Sequence, residues 1–169
     1  MTSAYITDAR FAAHNLVGHV EYAGRLTAIQ QTLSKYGLPE RMVALTPDPA
    51  TEAQIRAVHD ADYVGLLALT ESQKGMQLGP DTYVLPQSFG VAKLSSGAAV
   101  RGVDAVLRGE ASHALVCARP PGHHLTKNCS SNWVKFQVSL AISHEEPTRM
   151  YTSCATIVPF TWPTTELYP

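Results

Sequence analysis

The chain has 169 residues, of which 45% are hydrophobic and 16% charged, with a formal net charge of −1. That length suits one domain or an incomplete larger one, and the apolar content is enough to bury a core. The near-neutral balance excludes a strong electrostatic footprint for nucleic acid or anionic lipid, and no apolar run reaches the roughly 18 residues of a membrane span.

The start of the chain, Met1-Thr2-Ser3-Ala4, has no basic region followed by an apolar stretch, so no signal peptide is predicted. Ala4-Tyr5-Ile6-Thr7 reads as the first strand, followed by a loop that carries His14 and His19. Val20 to Tyr36 reads as a helix, with Leu26, Ile29 and Leu33 forming an apolar stripe and Gly37 stopping it. Met42 to Leu45 reads as a short buried strand. The Thr51-Glu52-Ala53-Gln54 sequence fits a capping box, which predicts a helix to about Val58. Asp60 or Asp62 caps the next helix, whose inner face is assigned to Tyr63, Leu66 and Leu67. Gly75 to Pro80 reads as loop.

Pro86 to Leu107 is predicted as a long helix, in which Gly97 and Gly102 permit close approach of another backbone. Ala114 to Ala118 is a continuous apolar run, read as a fully buried parallel strand. Strands alternating with helices indicate an α/β domain with a mostly parallel sheet. In such sheets ligands bind beyond the carboxyl ends of the strands. The segment leaving that last strand is Arg119-Pro120-Pro121-Gly122-His123-His124.

Two prolines stiffen this exit, and Gly122 widens the backbone choice before two adjacent imidazoles. Like charges push the pKa values of neighbouring histidines apart, so one can stay neutral as a general base while the other stabilises charge. An arbitrary His-His pair reads more simply as surface loop. The buried strand and the Pro-Pro-Gly turn before His123 and His124 favour the acid–base reading.

Composition changes abruptly after this segment. All eleven glycines lie at or before Gly122 and all six aspartates at or before Asp104. Nineteen alanines lie in residues 1–124 and two in 125–169, whereas both tryptophans, Trp133 and Trp162, lie in the final 45 residues. The joint shift divides the chain into 1–124 and a divergent, irregular tail, 125–169. Cys117, Cys129 and Cys154 are an odd number without C-x-x-C spacing, so neither a disulfide framework nor a zinc cluster is predicted. An intracellular setting is expected, and Cys117 is expected to be a core residue.

Ala118-Arg119-Pro120-Pro121-Gly122-His123-His124 resembles the signature of the histone deacetylase superfamily, which includes acetylpolyamine amidohydrolases. Upstream, His14 and the run His19-Val20-Glu21-Tyr22-Ala23-Gly24-Arg25-Leu26 are similar to that family's His-Pro-Glu-x-Pro-x-Arg-Leu segment, with both prolines replaced. Val58-His59-Asp60-Ala61-Asp62-Tyr63-Val64 resembles its Val-His-x-x-x-Tyr-Val block, and Asp81-Thr82-Tyr83-Val84 with Ser88 resembles its substrate-rim loop. The resemblance covers about residues 1–124.

It implies an arginase–deacetylase-type fold: an open, mostly parallel sheet flanked by helices, here truncated. It also implies zinc-dependent hydrolysis of an acetyl-lysine or acetylpolyamine amide. In that scheme His124 takes a proton from zinc-bound water and passes one to the leaving amine, His123 is its electrostatic partner, and Asp81 accepts hydrogen bonds from the substrate backbone. By the same reading His14 and His19 are structural, and Arg25 is an ion-pair partner.

The resemblance also implies zinc ligands from an Asp-x-His motif and a later Asp, yet no aspartate follows Asp104. His144, Glu145 and Glu146 read as a solvated patch, and Tyr151 and Tyr168 lack the context of an oxyanion-stabilising tyrosine. Zinc is therefore expected for the intact family domain and not for this chain alone, which is expected to be inactive. The alternative to the enzyme reading is a catalytically inactive fragment or binding module. A frameshift or alternative exon after His124 would account for the compositional break. The expected partners are an acetylated protein or small amine, with no direct nucleic-acid or membrane contact.

Overall fold

The structure is a computed structural model that describes residues 2–79, 82–121 and 155–157. Its centre is a sheet of four strands: β1 (Ser3–Ile6), β2 (Val43–Leu45), β5 (His113–Val116) and β6 (Ala155–Ile157), in the order β2-β1-β5-β6. β1 runs parallel to both β2 and β5, while β6 pairs antiparallel with β5. The hydrogen-bonded register sets Ile6 beside both Leu45 and Val116. A separate antiparallel pair is formed by β3 (Met76–Gly79) and β4 (Thr82–Val84).

Helices fill the crossovers. They are α1 (Gly24–Lys35), α2 (Glu52–Arg56), α3 (Ala61–Leu69) and the twenty-residue α4 (Ser88–Leu107). Alternate strand residues Ala4, Ile6, Ala114 and Val116 are buried in one cluster with Phe11, Leu26, Val91, Leu94, Ala98 and Val103. The intervening Tyr5 and Leu115 are half-buried, so β5 is less enclosed than its unbroken apolar run predicts. A second cluster joins α2 and α3 to α4 through Ile55, Tyr63, Val64, Leu67, Phe89 and Ala92.

Local chemistry explains the well-read elements. The Thr51 hydroxyl accepts from the Gln54 N–H, and Gln54 Oε1 accepts from the Thr51 N–H at 2.8 Å, a complete capping box. Gly37 ends α1 in the left-handed region, with φ of 59°. A Cβ on Gly97 would fall 1.8 Å from the Asp48 carbonyl oxygen and 2.7 Å from the Ala50 nitrogen, so the 48–50 loop lies directly against α4. The Ala50 N–H reinforces that contact by donating to the Lys93 carbonyl.

Several elements differ from the sequence reading. The first helix begins at Gly24, not Val20, because residues 16–22 form an exposed loop with Val17 93% accessible. β2 is not buried: Val43 and Ala44 are exposed, as suits the outer strand of the described sheet. The next helix, whose N-cap Asp60 makes no side-chain capping hydrogen bond, turns Val64 inward with Tyr63 and Leu67, and leaves Leu66 half exposed. α2 ends at Arg56. Gly75 to Pro80 is mostly strand, since β4 supplies a ladder partner that local composition does not reveal.

Candidate functional site

The order of the sheet locates the place where a site belongs. The chain passes from β1 to β2 on one side and later returns to β5 on the other side of β1. The carboxyl ends of β1 and β5 therefore flank a topological switch point, where open α/β sheets bind ligands. The two ends are joined there: the Cys117 N–H donates to the Ile6 carbonyl at 2.8 Å, and the Thr7 hydroxyl donates to the Cys117 carbonyl at 3.0 Å. Cys117 is buried, as expected of a core thiol.

Arg119 leaves β5 straight into the interior and is only 4% exposed. Its Nη1 donates to the carbonyls of His14 (2.7 Å) and Phe11 (3.2 Å), and its Nε donates to Glu21 Oε1 at 2.8 Å. The other oxygen of Glu21 pairs with Arg25, four residues on. One carboxylate thus neutralises a buried guanidinium and holds the start of α1. Pro120, whose peptide bond is cis, accepts from the Ser95 hydroxyl of α4.

Around this clamp sits an aromatic stack. The His14 ring lies flat on Tyr83, with centroids 4.4 Å apart and planes 7° from parallel. His19 meets the same tyrosine edge-on at 4.7 Å. The Tyr83 hydroxyl donates to the Glu21 carbonyl, and the Glu21 N–H donates to His19 Nδ1. His14 Nδ1 lies 2.7 Å from the Ser88 hydroxyl, which also accepts the Leu85 N–H. Burial, aided by the charge of Arg119, pushes the His14 pKa down to about 4, so this imidazole is neutral at pH 7. Burial also raises the Tyr83 phenol.

A groove of about 350 Å³ opens beside the stack, between the 16–19 loop and the β3–β4 pair. Leu16, His19, Met76, Gln77, Tyr83 and Leu85 line it. His14 is buried between Tyr83 and Ser88, His19 faces both Tyr83 and the groove, and Arg25 is an ion-pair partner, as expected. His123, His124 and Asp81 lie outside the described residues, as do His144, Glu145, Glu146, Tyr151 and Tyr168. The described chain reaches Pro121 on one side of the histidine pair, and Gly79 and Thr82 on either side of the link containing Asp81.

Sequence reasoning gave no role to Glu21, Tyr83 or Arg119, although all three stand inside the blocks that carry the resemblance. The signal available was a charged Arg directly after a buried strand, which demands a buried carboxylate or several carbonyls.

The chain matches the histone deacetylase domain family over residues 19–136. It belongs to that family. The match runs twelve residues past His124 and includes Cys129 to Val134. A probable deacetylase of Methanothermobacter thermautotrophicus is 38% identical over 140 residues, which cover 82% of this chain and 41% of that protein. The polyamine deacetylase HDAC10 of Mus musculus is 34% identical, over 74% of this chain and 20% of that protein. A histone deacetylase-like amidohydrolase of Pseudomonas aeruginosa is 36% identical, over 63% and 28%. The chain thus spans about two-fifths or less of these curated relatives. The solved structure of the HDA15 HD domain superimposes with a TM-score of 0.72 at 25% identity, covering 76% of this chain and 38% of that one. The deacetylase fold, an open and mostly parallel sheet flanked by helices, is therefore the fold of this chain.

Proposed function

We propose that this deacetylase-family chain acts on an acetylated amine, an acetyl-lysine or an acetylpolyamine, with His124 handling the protons of amide hydrolysis. The observation that carries the reading is the family match from residue 19 to 136, which spans the Glu21 clamp, the groove-lining β3–β4 pair and the tandem histidines. In this account His124, as a neutral imidazole, accepts a proton from the attacking water and returns one to the departing amine. His123 stabilises the charge that develops. Asp81, in the link between β3 and β4, accepts hydrogen bonds from the substrate backbone beside the groove.

Among the described residues no three His, Cys, Asp or Glu side chains gather into a group that could hold a metal. The proton handling above is derived from the chain's own side chains alone, and the zinc that the family implies enters no step of it.

A second reading, in which the chain binds an acetylated ligand without cleaving it, starts from the sequence alone, where no aspartate follows Asp104. Acetate release from an acetyl-lysine peptide and from an N-acetylated diamine separates the two. The enzyme reading predicts turnover that falls about 100-fold or more in His124→Ala, the usual effect of losing a general base. Equal turnover by both forms contradicts the role of His124. Saturable binding of the peptide with no acetate released establishes the second reading in its place.

A further inference from the structure

We propose that the groove between the 16–19 loop and the β3–β4 pair docks a short protein segment that presents an apolar side chain next to a carboxylate, with Lys74 as the residue that selects the carboxylate. The inference goes beyond the proposed hydrolysis, because it concerns recognition of unmodified side chains. Every residue that carries it is described.

Both walls of the groove are built before anything binds. On one side the His19 N–H donates to the Leu16 carbonyl at 3.2 Å, which closes a tight turn with Gly18 in the left-handed region at φ of 83°. The His19 ring is then braced edge-on against Tyr83. On the other side the ladder between β3 and β4 sets Met76 opposite Val84 and Gln77 opposite Tyr83. A partner therefore orders little of the protein when it docks, which favours binding of a short segment.

Leu16, Met76, Tyr83 and Leu85 supply the apolar surface, and at about 350 Å³ the groove sits at the small end of ligand sites. Leu16 and Met76 remain part-exposed, and Val17 in the turn is almost wholly uncovered. Exposed apolar side chains gathered around a concavity are what a binding site offers. Lys74 lines the same groove and is exposed, with no carboxylate partner among the described residues. Among those residues no carboxylate lines the groove either, and Glu21 in the adjoining loop has both oxygens engaged, by Arg119 and Arg25. An ammonium ion beside apolar surface discriminates between partners by charge: it attracts a carboxylate and repels a lysine or arginine.

Fluorescence anisotropy tests this with the 169-residue chain and labelled peptides that differ only at two adjacent positions, Leu-Glu, Leu-Gln, Leu-Lys or Ser-Glu. None contains acetyl-lysine, so the outcome stands apart from whether the chain hydrolyses amides. Lys74→Glu reverses the charge of an exposed side chain, and Leu16→Ser removes part of the apolar wall; a thermal melt accompanies each. Arg108→Glu is the control, since Arg108 caps the far end of α4, roughly 30 Å of helix from Ser88.

The wild type is expected to bind Leu-Glu about fivefold or more tightly than each of the other three peptides. Lys74→Glu is expected to reverse the order of Leu-Glu and Leu-Lys, Leu16→Ser to weaken Leu-Glu about threefold or more, and Arg108→Glu to change neither. The proposal is overturned if the wild type binds none of the peptides, if Leu-Glu and Leu-Gln bind alike, or if folded Lys74→Glu keeps the wild-type order. Sedimentation of the wild-type chain adds one further outcome: a dimer dispersed by Leu16→Ser gives the groove to a second copy and overturns the proposal as well.

Discussion

His14 is an imidazole made neutral by its surroundings, and its protonation is a matter of stability before it is one of catalysis. Its pKa in the folded chain is about 4, against about 6.5 for an unperturbed histidine. Above pH 6.5 neither state carries the proton, and the site contributes nothing to pH dependence. Between 6.5 and 4 the unfolded chain binds a proton that the folded chain refuses, so stability falls as the pH falls. At about 1.36 kcal/mol per unit of pKa difference, the full loss is about 3 kcal/mol by pH 4. Urea titrations of wild type and His14→Gln at pH 7 and pH 4 isolate this part. The wild type is expected to lose about 3 kcal/mol more than the variant over that interval, and parallel losses would contradict the assignment.

Glu21 belongs to the same scale. It is one carboxylate between two arginines, with the buried partner at 2.8 Å and the exposed partner four residues along α1's approach. A buried arginine needs this kind of company, because an isolated charge in the interior costs far more than the pair. The guanidinium and, one residue later, the Pro120 carbonyl held by the Ser95 hydroxyl are the last described anchors of the chain before Gly122.

Among the elements, α4 shows how a single glycine fixes a packing distance. The 48–50 loop lies against the helix at Gly97, and the Ala50 N–H shares the Lys93 carbonyl there. Replacing a helical glycine by alanine ordinarily gains about 1 kcal/mol. At this position the new methyl would meet backbone atoms at 1.8 and 2.7 Å, and backbone cannot swing aside as a side chain can. Gly97→Ala is expected to be destabilising by about 2 kcal/mol or more, at the upper end of overpacking effects. A denaturant melt showing a net gain would mean that the loop is free to lift from the helix.

The same element was legible in the sequence because it is long, periodic and bounded by proline and a polar residue. The Thr51 box was equally legible, since its hydrogen bonds are local. The β3–β4 pair was not, because a strand is made by its partner, and Gly75 and Gly79 disguised the first of the two. Leu66 was misassigned for a related reason. On a short helix a one-residue rotation of the stripe exchanges Leu66 for Val64, and only the α4 surface decides between them. The histidine pair lies outside the described residues; around the clamp, Arg25 could be read from motif order. The partnership of Glu21 with Arg119 could not, because it spans 98 residues and depends on two loops meeting at the strand ends.

At the scale of the whole molecule, the central fact is where separate segments converge. The 14–22 loop, the β3–β4 pair and the exit from β5 meet around Tyr83 and Arg119, next to the switch point between β1 and β5. Each is near-independent in sequence, and each carries one block of the deacetylase resemblance. The groove opens at this convergence, the kind of place where ligand sites form.

The most direct test of the account is a crystal structure of the chain with a bound acetyl-lysine peptide. The account predicts the acetyl amide within hydrogen-bonding reach of the His124 imidazole, and the peptide backbone against Asp81 beside the groove lined by His19 and Tyr83. A peptide ordered elsewhere, with His124 out of reach of its acetyl group, would contradict it.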